Sequence, residues 1–505
     1  MIKRRTLSIT IAVLCVGGLG LVAWSHLSRP PVVEFPAAGR LRIDGVTVVD
    51  PRDGRLSENM TVETEAGRIV RVGPSLPVPS DPAVRRVDGA GLFVVPGYNN
   101  MHTHLLQSDD PSGVLALMLA EGVTGFRQMA GTDRMLRDRR EHRLPLTIST
   151  PTLLAMPGGL ITPFNGPTAD DVRKEIAREK GAGADFIKVG MVPSAVFSPL
   201  LGAAREAGLH AVGHVPGGVD PVQAAREGFY SIEHLGPGAL ATACSTERDA
   251  MFADAAAHPL IKPPPFKFPF QDRIFMWFLT KYLPTRTISP APQETTRLAH
   301  VLDTYSPERC AQLAASLAKY RAWQVPTLVS LGEMNGQLAS QEDPIIRYMS
   351  PKSVDLRRKK IEAFSALPAE AKAVYQRAHR RNLELTKLLW DAGVPLMTGT
   401  DGGESVTPVH SLGREFDELS RAGVSPLGVL RATTINPAIF LGREKTMGVV
   451  AVGYDADLVL LSANPLDNTA NMHRVVGVVR GGFYHSEADL AALRERVARG
   501  RGVLR

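Results

Sequence analysis

The sequence predicts an α/β protein: a (β/α)8 TIM barrel with a small flanking β-sandwich domain formed from both chain ends. Three observations predict it. Residues 97–441 alternate short apolar strands with helical stretches, and eight such strands can be counted. Repeated strand–helix units of that number argue for a closed parallel barrel. The flanking stretches, 38–96 and 442–485, have another texture, short strands broken by glycine turns, and pair most simply with each other.

Residues 1–30 begin with Lys3, Arg4 and Arg5 and then run from Leu7 to Trp24 without a charge. A positive flank before an apolar run is the pattern of a signal peptide or a membrane anchor. Ala23 and Ser25 offer a cleavage site, and a retained anchor is equally open. Either way the expectation is an exported protein, periplasmic or extracellular, or one anchored with its catalytic domain outside the cytoplasm. Pro30, Pro31 and Pro36 make a stiff spacer.

In the first flank, Val46–Val49, Met60–Glu63 and Arg68–Val72 read as an antiparallel module, with turns at Asp53-Gly54 and Ala66-Gly67. In the second flank, Gly448–Val450, Asp457–Leu461 and Arg474–Val479 match them. The barrel strands are expected at His102, Gly125–Arg127, Leu153–Ala155, Asp185–Val189, His210–His214, Ser231–His234, Val325–Val329 and Pro395–Gly399. Helices such as Asp170–Lys180 and Pro221–Glu227 fall between them. An insertion at about 244–321 overruns a normal connection. It carries Pro263-Pro264-Pro265-Phe266 and the aromatic run Ile274–Leu279. It is expected as a helical lid or wall on the barrel, with a membrane-touching hairpin as the alternative. Residues 486–505 read as a charged, solvated helix.

Lys plus Arg number 58 against 51 for Asp plus Glu, a net of +7 spread over 505 residues. No Lys/Arg-dense run is interleaved with aromatics, which argues against nucleic acid as a partner. Oligomeric state is not legible. Cys15, Cys244 and Cys310 have no pair spacing, so neither a metal knuckle nor a disulfide framework is expected.

The chemistry collects at strand ends. His102 and His104 lie two residues apart after an apolar run, so in a strand both imidazoles share one face. Lys188, His214, His234 and Asp401 each end another strand, and the carboxyl ends of barrel strands converge on one mouth. Imidazole nitrogens with a carboxylate suit divalent ions. A desolvated lysine beside cations loses its proton and can react with carbon dioxide to a carbamate, an anion able to bridge two metals. Metal-held water then ionises near neutrality, and Asp401 is placed to pass its proton to a leaving nitrogen.

Pro96-Gly97 before His102-Thr103-His104, then Asp185-Phe186-Ile187-Lys188, Gly213-His214, Ser231-Ile232-Glu233-His234 and Thr398-Gly399-Thr400-Asp401, resemble the metal-dependent amidohydrolase superfamily. The look is nearest to its imidazolonepropionase-like and metallo-dipeptidase branch. The stretches Ala432–Ala438 and Gly453–Leu460 are similar too. The resemblance implies His102, His104 and Asp401 on one metal and His214 and His234 on a second, with carboxylated Lys188 between two divalent ions, zinc first among those that fit. It implies hydrolysis of the amide bond of a dipeptide or N-acyl amino acid by a metal-bridging hydroxide. A cyclic amide, lactone or phosphotriester hydrolase is the alternative, and an inert membrane-anchored scaffold a third reading. Asn100 and Gln128 stand where the family often has aspartates. Arg127 and His410 are candidate substrate contacts near the second and eighth strand ends.

Overall fold

The computed structural model describes residues 30–75, 81–236, 238–259, 261, 292–337, 343–403 and 412–502. The apolar run from Leu7, the Pro263–Phe266 and Ile274–Leu279 stretches and His410 lie outside the described residues. No helix among the described residues is long and apolar enough to cross a membrane.

The chain opens with β1 (Arg40–Val49), β2 (Leu56–Glu65), β3 (Arg68–Pro74), β4 (Val84–Asp88) and β5 (Phe93–Pro96). The barrel follows as β6 (Tyr98–Thr103), β7 (Val123–Gln128), β8 (Thr152–Ala155), β9 (Leu160–Ile161), β10 (Phe186–Val189), β11 (His210–Gly213), β12 (Ser231–Glu233) and β13 (Trp323–Val325). After it come β14 (Leu458–Leu461), β15 (Val475–Arg480) and β16 (Phe483–Ser486).

The two ends join as expected. They form one sheet in the order β16-β15-β14-β5-β1-β2-β3, with β4 also on β1. The seam is β14 antiparallel to β5, Leu460 facing Val94. All four residues of β14 are buried, and a run buried on both faces must be paired on both edges to satisfy its backbone. Two expectations change. The sheet is mixed rather than antiparallel, because β1 runs parallel to β4 and β5. Gly448–Val450 forms no strand, since Gly448 takes a left-handed φ of 87° and turns the chain.

The barrel is two parallel arcs, β6-β7-β8 and β9 to β13; β8, paired to β7, and β9, paired to β10, together fill the third barrel position. Asp185 N bonds Met156 O at 3.0 Å between them on one side. On the other side the Pro395–Gly399 stretch is the eighth strand. Met397 N reaches Gln324 O and Met101 N reaches Thr398 O, both at 2.8 Å. Every residue of β6, β7 and β10 is buried. The seventh strand lies earlier than expected: β13 ends at Val325, because Pro326 lacks an N–H and Thr327 is left-handed at φ 49°.

The helices obey end chemistry. α1 (Pro111–Ala120) starts on an Asp110 cap with proline at its first position. α2 (Ala169–Ala182) has Thr168 accepting from Asp171 N and stops at Gly183, φ 90°. α3 (Pro307–Lys319) is capped by Ser306 and buries Leu313, Ala314 and Leu317 in the barrel core. It is therefore the regular outer helix of this strand, and the insertion ends before it rather than at Arg321. Beyond β13 come α4 (Leu328–Met334), α5 (Pro351–Ser365) and α6 (Leu412–Arg421), and α7 (Glu487–Gly502) closes the chain. α7 is not merely solvated. Its Leu490 and Leu493 pack on Leu119 and Ala120 of α1, burial that contributes roughly 1.5–3 kcal/mol per leucine.

Cys244 and Cys310 form a disulfide, which corrects the expectation of none. Their 66-residue separation hides a Cα–Cα distance of 4.5 Å. Backbone bonds beside them, Ser306 N to Cys244 O and Thr246 N to Thr304 O, both at 2.8 Å, hold the two segments together.

Candidate metal centre

β6 carries His102 on its inner face, and the chain leaves the strand at His104. The eighth strand sits against it because Gly399 has no side chain. A Cβ there would lie 2.8 Å from His102 Cβ. Asn100 laces the same two strands, donating to Thr400 Oγ1 at 2.9 Å and accepting from His102 N at 3.3 Å. Gln128 instead shapes the loop beyond β7, accepting from Leu106 N and donating to Ala130 O. Both departures from the family pattern thus have structural duties.

All six expected ligand residues meet at the mouth. The four imidazoles form a chain: His104 to His102 at 5.4 Å between ring centroids, His102 to His234 at 4.4 Å, and His234 to His214 at 5.3 Å. Asp401 Oδ1 lies 3.4 Å from His102 Nε2 and 3.2 Å from His104 Nε2. Donor atoms of His102, His234 and Asp401 all fall within 4.8 Å of one another. His234, Asp401 and Thr327 hold left-handed backbone at φ 56°, 53° and 49°. Such conformations cost of order 1–3 kcal/mol each and cluster at functional sites.

The donor set fits divalent metal. His102 Nε2 and Lys188 Nζ are buried with no hydrogen-bond partner among the described residues. A buried polar atom left unpaired costs free energy unless something binds it. Burial pushes the Lys188 amine down to about 8, and it pushes His234 down to about 3 and His214 well below the ordinary imidazole value. The two imidazoles therefore keep free lone pairs near neutrality, as metal ligation requires, while the Lys188 amine sheds its proton at a lower pH than an ordinary lysine. Burial opposes ionisation of Asp401, but electrostatic attraction to the neighbouring His234, His102 and His104 rings holds its carboxyl well below the usual range.

Against known proteins, residues 339–483 match the Amidohydrolase family. A stretch of 63 residues is 41% identical to an imidazolonepropionase of Acidiphilium cryptum (strain JF-5). That match spans 12% of this chain and 16% of that relative, so the chain covers about a sixth of the curated relative's length. Among solved structures, bottromycin amidohydrolase superposes with a TM-score of 0.66 at 23% identity, over 91% of this chain and 90% of that one. A Xaa-Pro dipeptidase follows with a TM-score of 0.59 at 16% identity, over 88% of this chain and 100% of the other. The chain has the amidohydrolase fold. The resemblance read from its motifs holds, and so does the barrel with a β-rich domain from both ends.

Within this amidohydrolase fold, three residues that spacing did not single out organise the ligands. Glu233 Oε2 lies 2.6 Å from His102 Nδ1, while its Oε1 accepts from Ser231 Oγ at 2.7 Å and Arg127 at 2.8 Å. Thr327 Oγ1 lies 2.7 Å from His234 Nδ1. Ser330 donates to Asp401 Oδ2 at 3.3 Å. Partners of this kind fix tautomer and aim. The signal for Glu233 was its period-two alternation with Ser231 on the inner face of β12. Arg127 corrects an expectation: it is fully buried, bonded to Glu233 and to Met101 O, with Phe440 4.8 Å from its guanidinium carbon. It braces the floor and has no access to substrate, because a strand residue just short of the mouth points into the packed interior.

Proposed function

We propose that this protein is a metal-dependent hydrolase of carbon–nitrogen bonds in small substrates, a dipeptide or an N-acyl amino acid. The observation that carries the reading is the convergence of His102, His104, Lys188, His214, His234 and Asp401 on one mouth, with two buried donor atoms unpartnered.

His102, His104 and Asp401 would hold one divalent ion, zinc for preference, and His214 and His234 a second, with Lys188 as its carbamate between them. When bound, such ions acidify water and polarise a carbonyl. The chain's own residues do the rest. Glu233 keeps the proton on His102 Nδ1, so that Nε2 is the donor. Thr327 fixes the His234 ring, and Ser330 steadies Asp401 through Oδ2. Asp401, ionised and at the mouth, takes the proton of the attacking water and delivers it to the leaving nitrogen.

Two features support export to an oxidising compartment: the basic and apolar start of the chain and the Cys244–Cys310 disulfide.

The test is metal content per chain together with turnover of a dipeptide and N-acyl amino acid panel. Two metals with turnover, both lost in Lys188→Ala, is the expected result. One metal retained in Lys188→Ala would overturn the bridged centre. Absence of metal and turnover would overturn the enzyme.

A further inference from the structure

The chain between β13 and α6 builds a second buried polar cluster, one helical turn from the metal centre. Ser330 of α4 touches Asp401, and three residues on along the same helix stands Glu333. Residues three apart on a helix are neighbours, about 5–6 Å between Cβ atoms. Glu333 Oε1 accepts from Arg357 of α5 at 3.3 Å. Arg357 and Arg414 of α6 both reach Asp343, at 3.4 Å and 2.6 Å. Lys360 lies on α5 one turn beyond Arg357.

Lys360 and Glu333 of this cluster each leave one atom over. Lys360 is 5% exposed, and its Nζ has no hydrogen-bond partner among the described residues. Glu333 is 3% exposed, and its Oε2 has none either. The two residues feel each other's charge without bonding. An unpaired buried ammonium is expensive, and lysine is among the residues least often found fully buried without a partner. A structural role would be met more cheaply by methionine. Burial pushes the Lys360 amine down to about 8 and the Glu333 carboxyl up, so the neighbouring charges do not compensate either group.

We propose that Lys360 receives the carboxylate of the substrate, which makes the preferred substrates carboxylate-bearing amides. This deepens the hydrolase reading and rests on it for the identity of the ligand. An ammonium is a compact donor of three hydrogen bonds, and a carboxylate supplies acceptors to it. The Ser330–Asp401 contact sets the cluster beside the reacting end, so the anion would fix the register of the amide bond at the metals.

The experiment measures binding rather than turnover, on the full chain treated with chelator. Its outcome is therefore separate from whether the metal-loaded protein hydrolyses anything. N-acetyl amino acids and their carboxamides are titrated calorimetrically into wild type, Lys360→Met and Lys360→Arg. The expected result is that acids bind at least tenfold tighter than amides to wild type. Lys360→Arg keeps that preference, and Lys360→Met loses it while melting no lower than wild type. Acids and amides binding alike to wild type, no acid binding at all, or a preference that survives in Lys360→Met would each overturn the proposal.

Discussion

Two buried arginine–glutamate pairs flank the metal centre, and they differ in how fully their glutamates are satisfied. Beneath it, Glu233 spends both oxygens on Arg127, Ser231 and His102. Although burial opposes ionisation, Arg127 and His102 hold its carboxyl far below the usual range. Above it, Glu333 gives one oxygen to Arg357 and keeps the other unpaired beside an unpaired Lys360. Its carboxyl is pushed up by the same burial. In the floor the glutamate is fully bonded and serves the imidazole above it, although Arg127 Nη1 is buried without a hydrogen-bond partner among the described residues. The roof keeps unspent hydrogen-bonding capacity at the expense of stability, as a receiving site does.

The largest effect expected is on the floor. Arg127→Met leaves Glu233 charged and buried without its cation, and should cost roughly 3–5 kcal/mol in urea unfolding. A cost under about 1 kcal/mol would erase the contrast. Next, Thr327→Val removes the partner of His234 Nδ1 and should weaken metal affinity roughly 10–100-fold by competitive chelation, with the melting temperature of the chelated protein little changed. Unaltered affinity would show that the threonine does not aim the ring.

The roof should respond with the opposite sign. Lys360→Met is expected to be neutral or stabilising, and its pH dependence sharpens the point. The folded amine titrates at about 8 against an ordinary 10.5. Between those values the unfolded chain binds more protons, so wild-type stability rises with pH there and is lost as pH falls through about 8. The variant should lack that rise, and its advantage over wild type should be greatest below about pH 8. Parallel stability profiles for the two proteins would refute the assignment. The smallest effect is that of Ser330→Ala, one 3.3 Å hydrogen bond on Asp401. About 0.5–1.5 kcal/mol, read as a modest fall in kcat with KM unchanged, is expected.

Much of this was legible from local pattern. His102 and His104 announce themselves by period two, and the eighth strand by Thr398-Gly399-Thr400-Asp401, although its ladder bonds are few. Strand limits failed where backbone chemistry overrode apolar character, at Pro326-Thr327 and at Gly448. The helix at the carboxyl end looked solvated because its charges outnumber its leucines. It docks because those leucines meet an apolar face that lies far away in sequence.

The sequence by itself determined the layout: parallel strand–helix units, end strands that need each other, and a ring of metal-capable side chains at strand ends. All of these follow from periodicity, turn residues and the rule that barrel strands share one mouth. Only the tertiary structure decided who serves whom. Glu233 holds His102 across 131 residues, Cys244 finds Cys310 across 66, and Arg127 turns inward rather than toward substrate. It also decided that Lys360, a surface-looking charge in a helix of charges, is buried without a partner. The physical reason is that ionic and hydrogen-bond energies depend on distance and desolvation, and neither is written in sequence separation.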